Sequence, residues 1–219
     1  MEKILDKYLF FGRILPSCIS LLPTLGVLSI YFDLFSNFDP GRLSIIGFGF
    51  LISAYLVSMI GRTIAKIFED FYFKNETNFP TTTLLFSENS EISENLRKII
   101  IKNIKIYTGL PKAKNKNTAL FKKELSEGLA IYRKQYSNNS VLLDLNIQYG
   151  FWRNLSACRI ILIFFELPIF LLSDDKNIIL ILSTSLILSL IFYLFVINIL
   201  KYVGKKYALY LLRLIAMKS

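Results

Sequence analysis

The sequence predicts a mainly α-helical integral membrane protein: two transmembrane helical hairpins, four spans in all, with a small helical cytosolic domain inserted between them. Three observations carry this. Uncharged runs of 19, 19 and 24 residues (Ile14–Phe32, Leu43–Gly61 and Asn177–Leu200) flank a polar middle of about 80 residues. Each run matches the ~20 residues with which an α-helix crosses the ~30 Å hydrocarbon core, and none shows the alternation of a barrel strand. The connections Asp33–Arg42 and Asp174–Lys176 each hold two acids and one base, whereas nearly all other Lys and Arg lie on the opposite side. The positive-inside rule then places both termini and the middle domain in the cytoplasm.

Along the chain, residues 1–69 form an N-terminal helix and the first hairpin. The first 13 residues hold Glu2 and Asp6, and no small-x-small cleavage pattern follows the long apolar run, so a cleaved signal peptide is not expected. Asp39-Pro40-Gly41 breaks the hairpin at its outer turn. The second helix continues beyond its span through "GRTIAKIFEDFYF", where Ile64, Ile67, Phe68 and Phe71 recur among charges.

Residues 70–150 are assigned to a basic, ligand-binding domain. Pro80 disfavours helix at Phe79, so "FPTTTLLF" reads as extended or turn. A helix opens near Ser90, Ser93 and Glu94 and runs to about Tyr107, with Ile92, Leu96, Ile99, Ile100 and Ile104 apolar and Lys98, Lys102 and Lys105 opposite. Gly109-Leu110-Pro111 stops it, and "KAKNKN" is a loop. The next helix spans about Thr118–Ser137, with Leu120, Phe121, Leu125, Leu129 and Tyr132 as its apolar set. "VLLDLNIQYGFWRNL" is read as opening on a short strand before leading into the third span.

The second hairpin occupies residues 151–202, and 203–219 form a basic cytosolic tail. Its first span, Leu155–Ser173, holds Arg159, Glu166 and Pro168. Arg159 is expected to snorkel to the headgroups, and a mid-helix acid costs roughly 3 kcal/mol, tolerable among Ile, Leu and Phe.

The chain has no His and only two Cys, at predicted helix starts, where they serve as small apolar fillers. It has no phosphate-binding glycine loop either. Metal sites, catalytic triads and nucleotide hydrolysis lose their usual residues, so neither an enzyme nor a cofactor or metal is expected. The cytosolic carboxylates read as exposed or helix-capping. Between Arg97 and Lys134, by contrast, 11 Lys or Arg face only Glu124 and Glu127, interleaved with Tyr107, Phe121, Tyr132 and Tyr136. Cations that track phosphates beside rings that stack on bases are the ingredients of single-strand nucleic-acid binding. A solvated surface facing the anionic leaflet accounts for the same residues equally well. For a nucleic-acid ligand, Lys112, Lys114, Lys116, Lys122 and Lys123 are assigned to phosphates and Tyr132 to stacking.

An acid inside a span faces a bundle interior, a partner or water. Glu166, with Ser183, Ser185, Ser189 and Asn198 of the last span, forms the candidate intramembrane or pore set. A Glu–Arg or Glu–hydroxyl pair that holds helices together is the structural alternative. Four mostly apolar helices cannot line a pore alone, so conduction requires several subunits.

Three patches carry a family resemblance: "RTIAKIFE" (Arg62–Glu69), "FPTTTLL" (Phe79–Leu85) and "LNIQYGFWRNLSACR" (Leu145–Arg159). Together they resemble small bacterial membrane effectors of anti-phage defence, the Hailong A (HalA) family. The family pattern has Glu where this chain has Leu145. The resemblance implies a homo-oligomeric ion channel, taken as a tetramer, in the bacterial inner membrane. Its cytosolic crown would bind a single-stranded DNA oligomer made by a partner nucleotidyltransferase. The DNA holds the channel shut, and its loss depolarises the membrane. Arg62, Lys66, Tyr149, Arg153 and Asn154 are assigned to coupling the domain to the membrane. The alternative is a non-conducting scaffold whose basic domain docks a protein or anionic lipid.

Overall fold

The computed structural model describes residues 7–31, 40–72, 80–86, 91–112 and 119–217. Among these the chain is helical, without strands: α1 (Lys7–Tyr31), α2 (Pro40–Tyr72), α3 (Pro80–Phe86), α4 (Glu94–Thr108), α5 (Ala119–Gln135), α6 (Ser140–Leu172) and α7 (Lys176–Ala216). Four of them, α1, α2, α6 and α7, are long and apolar enough to cross a membrane. The protein is therefore a multi-pass membrane protein by length and composition. Most of the first outer turn, residues 32–39, lies outside the described residues.

The chain divides into two compact units. One comprises residues 2–69 and 147–200, the four apolar stretches; the other comprises 70–146 together with 201–219. The second grouping redraws the expected domain, because the segment read as a separate tail, 203–219, shares a core with the middle of the chain. Tyr207, Ala208, Leu211, Leu212 and Ile215 of α7 are buried with Leu85 of α3, Ile100 and Ile104 of α4, and Phe121, Leu125 and Leu129 of α5. The reason is visible along α7, where apolar residues at 207, 208, 211, 212 and 215 form the stripe of an amphipathic helix.

Local chemistry explains the ends of these helices. Ser93 caps α4 by accepting the Leu96 N–H at 3.3 Å, and Gly109, at φ 70°, ends it in the left-handed conformation that glycine adopts without penalty. Pro80 is the first residue of α3 and not a breaker. Its missing N–H falls where a helix has no internal acceptor to use it. "VLLDL" is likewise helix, as the first turns of α6. Asn139 starts that helix by accepting the Leu142 N–H at 3.0 Å. Asp175 does the same for α7, accepting from Asn177 at 2.8 Å. Two predicted apolar positions, Ile99 and Leu120, are exposed instead.

In the second unit the end of α7 is bound by side chains as well as packing. Asn103 Nδ2 donates to the Ile215 carbonyl at 2.9 Å, and the Tyr136 hydroxyl donates to the Leu214 carbonyl at 3.3 Å. Both carbonyls belong to the last turn, which has no helical partner for them. In the first unit, close helix approach depends on Gly61 of α2, where a Cβ would stand 2.5 Å from Cys158 Sγ of α6.

Leu212 tests the shared core. Leu212→Ala should cost about 2–5 kcal/mol of stability, whereas the same change at exposed Leu194 should cost little. Thermal unfolding of the two variants in detergent compares them.

Candidate functional site

The polar centre of the membrane unit is built on α6. Arg159 and Glu166 stand seven residues apart, two turns along one face, and both are buried, at 7% and 2% exposure. Their side chains form a bidentate pair, Nη1 to Oε1 at 2.8 Å and Nη2 to Oε2 at 2.6 Å. The remaining guanidinium donors also have acceptors. Nε donates to Ser189 Oγ at 2.5 Å, Nη2 to Ser185 Oγ, and Nη1 to the Ser20 carbonyl of α1 at 3.4 Å. All five N–H groups of the arginine are thereby used. The two serines pass the network on: Ser185 Oγ donates to Glu166 Oε2 at 3.1 Å, and Ser189 Oγ to the Ser185 carbonyl at 2.7 Å.

This arrangement corrects the expectation that Arg159 snorkels. A carboxylate two turns away on the same face offers a planar, bidentate partner, and the side chain turns inward to it. Of the candidate pore set, Glu166, Ser185 and Ser189 therefore belong to a closed cluster with Arg159 inside the chain's own membrane unit. Ser183 only donates back to the Leu180 carbonyl at 3.0 Å. Asn198 is exposed, on the face of α7 that also presents Leu194 and Phe195.

The coupling residues meet at a second polar cluster. Glu69 of α2 accepts the Tyr149 hydroxyl at 2.9 Å and Arg153 Nη1 at 2.7 Å, and Arg153 also lies over the Tyr149 ring. The next residue, Asn154, donates from Nδ2 to the Gly12 carbonyl at 2.5 Å. Gly12 sits in a π-helical turn of α1, Phe10–Ile14, whose wider winding re-aims its carbonyls. Gly150 gives the Tyr8 ring room to approach α6; a Cβ there would lie 3.0 Å from its hydroxyl oxygen. Two of the three sequence patches thus touch, through Glu69 of one and Tyr149 and Arg153 of the other. Glu69 was not among the expected site residues. Two signals mark it, its place at the end of a charged, amphipathic helix exit and its position as the last residue of the patch "RTIAKIFE". Arg62 and Lys66 are exposed on α2 and take no part in this cluster.

The basic surface belongs to the other unit. Lys98, Lys102, Lys105, Lys112 and Lys123 are exposed, and Lys122 is half-buried with Nζ 5.2 Å from the Phe86 ring centre. Lys114 and Lys116 lie outside the described residues. The Lys112 backbone N–H donates to Glu124 Oε2 at 2.7 Å, fixing the end of the loop against α5. Tyr132 is placed differently from its assignment as a stacking residue. It is 2% exposed, and its hydroxyl donates to the Asn103 carbonyl at 3.1 Å. Burial raises the pKa of this phenol, with Tyr136 and Tyr107 adding to the effect. Tyr107, 49% exposed with its ring centre 4.9 Å from that of Tyr132, is the ring that reaches the surface. Phe121, the other interleaved aromatic of α5, is buried in the core.

No group of His, Cys, Asp and Glu suited to a metal ion occurs among the described residues. Comparisons with models of known protein families, with curated proteins and with solved structures find no match for this chain.

The Arg159–Glu166 pair makes a sharp test. Glu166→Leu and Arg159→Leu should each cost about 3–5 kcal/mol by leaving one charge buried, whereas the two changes combined should be close to neutral. A double-mutant cycle on thermal unfolding in detergent reads the coupling directly. Additive losses would mean that the pair is not formed.

Proposed function

We propose that the protein is a ligand-controlled membrane effector, a homo-oligomeric ion channel whose basic unit binds a short single-stranded nucleic acid. The observation that carries this reading is the continuity of α6 and α7. Each is one uninterrupted helix with residues in both units: α6 contributes 140–146 to one and 147–172 to the other, and α7 contributes 176–200 and then 201–216. A ligand that favours one arrangement of the basic unit can bias the membrane helices through such elements, because a bound state shifts the population towards whatever it binds better.

In this reading Lys112, Lys122 and Lys123, with Lys98, Lys102 and Lys105, meet phosphates, and exposed Tyr107 stacks on a base. The buried Arg–Glu cluster holds each protomer closed, so ions pass between protomers. Exposed Asn198 and Thr184 of α7 are the polar groups available to line or seal such a passage. Glu69, Tyr149, Arg153 and Asn154 fasten α6 to α1 and α2. The chain acts without catalysis or cofactor. Its resemblance to anti-phage effectors favours the bacterial cytoplasmic membrane as its site, with both termini and the basic unit inside. The ligand would then be a single-stranded DNA oligomer supplied by a nucleotidyltransferase partner, which keeps the channel shut until it is lost.

A second reading has its own support. The best-connected intramembrane charges are fully satisfied within one protomer, as expected of a scaffold that conducts nothing and docks a partner through its basic unit.

Purified protein reconstituted in liposomes separates the two. The channel reading expects nuclease-sensitive single-stranded DNA to accompany the protein and ion flux to rise when it is digested. Lys122→Glu with Lys123→Glu should weaken oligonucleotide binding by roughly tenfold or more and flatten its salt dependence. Flux indifferent to nuclease, with no bound nucleic acid at low salt, would leave the scaffold.

A further inference from the structure

A groove of about 560 Å³ in the membrane unit has a chemistry that the reading above does not use. It lies between the start of α1 and the end of α2, and is lined by Leu9 and Arg13 on one side and by Tyr55, Ser58, Met59, Arg62, Thr63 and Lys66 on the other. Tyr55, Met59, Arg62 and Lys66 are spaced by four, three and four residues, so they form one stripe along α2. The stripe is graded. Its two cations stand at the end of the span Ser44–Glu69, and its apolar members lie one to two turns deeper. Arg13 adds a third cation from α1, near the start of the span Lys7–Tyr31, held over the Tyr8 ring at 5.1 Å.

The described residues do not balance these cations. Among the described residues no carboxylate pairs with Arg13, Arg62 or Lys66, and Glu69, the nearest acid along α2, is taken by Arg153 and Tyr149. Like charges four residues apart on a helix repel, so Arg62 and Lys66 together carry an electrostatic cost that an anion would relieve. Ser58 has already spent its hydroxyl proton on the Tyr55 carbonyl at 2.7 Å, which leaves the Tyr55 ring and Met59 as the main surface of the inner part of the groove. The site therefore suits a molecule with a phosphate at one end and hydrocarbon at the other, placed at headgroup depth.

We propose that this groove binds an anionic phospholipid. The phosphodiester sits among Arg13, Arg62 and Lys66, where guanidinium groups offer paired donors, and one acyl chain lies along Leu9, Met59 and Tyr55. Arg62 and Lys66, expected to couple the units, act here as lipid ligands.

Native mass spectrometry of the full-length protein, released from detergent with added phosphatidylglycerol or phosphatidylcholine, tests the assignment. Phosphatidylglycerol should be retained preferentially. Arg62→Gln with Lys66→Gln should weaken it roughly thirtyfold, the combined effect of two cations, whereas Lys176→Gln at the start of α7 should not change it. Circular dichroism of the double variant should match the parent, since both side chains are exposed. Equal retention of the two lipids, or undiminished phosphatidylglycerol binding by the double variant, would overturn the proposal. Displacement of the lipid by excess inorganic phosphate would also overturn it, identifying a free-anion site, and displacement by an oligonucleotide would assign the groove to nucleic acid.

Discussion

Two opposite charges cannot be left apart in a membrane interior, and the arrangement of α1, α6 and α7 around Arg159 and Glu166 follows from that constraint. The pair is neutral as a whole, but neutrality alone would leave three guanidinium donors without acceptors in a medium with no water to supply them. Ser189, Ser185 and the Ser20 carbonyl meet that need from two other helices. The same bonds fix how α7 and α1 are rotated against α6, since a turn of either would withdraw its acceptor. Apolar packing, such as Leu21 and Ala54 with Leu162, then fills the space around a geometry already specified by polar contacts. Directional bonds supply a register here that interchangeable Leu and Ile side chains cannot.

The other unit is organised differently. Its core is ordinary aliphatic and aromatic burial with few polar groups; Asn103 and Tyr132 are matched to carbonyls, whereas the buried hydroxyls of Thr81 and Thr82 find no partner among the described residues. Asn103 is the most connected of these. Its amide reaches the end of α7 and its carbonyl receives the Tyr132 hydroxyl, so one buried residue ties α4 to both α5 and α7. With the interior settled in this way, the lysines stay on the surface of α4 and α5, and the unit can present a strongly positive face without burying charge.

Much of this was legible in the sequence because the bilayer imposes simple rules. Uninterrupted apolar length marks the spans, and a three-to-four residue period marks α4 and α5. What the sequence leaves open is partner choice. Arg159 looks like a snorkelling residue until Glu166 is seen as its bidentate partner. Tyr132 carries the composition of a stacking residue, yet its position on the apolar stripe of α5 already placed it against the core. Pro80 reads as a breaker unless it is recognised as a first helical residue. The segment 203–219 reads as a separate basic tail because its charge density obscures the apolar stripe from Tyr207 to Ile215. Glu69 illustrates the same limit, since an acid among many charges on an exposed helix gains its role only from the tyrosine and arginine that another helix brings to it.

The position of that stripe has a consequence for how the protein is made. Synthesis proceeds from the N-terminus, so helices α3, α4 and α5 emerge before either helix of the second hairpin, while the residues that complete their core follow the last span of that hairpin. Until α6 and α7 have been inserted and α7 extended to Ile215, the apolar faces of α4 and α5 remain exposed. Completion of the basic unit is thus tied to completion of the membrane bundle. A chain with a failed or truncated second hairpin exposes a sticky, unfinished domain that cellular proteolysis can remove, so assembly of the membrane half is a condition for a finished surface on the other.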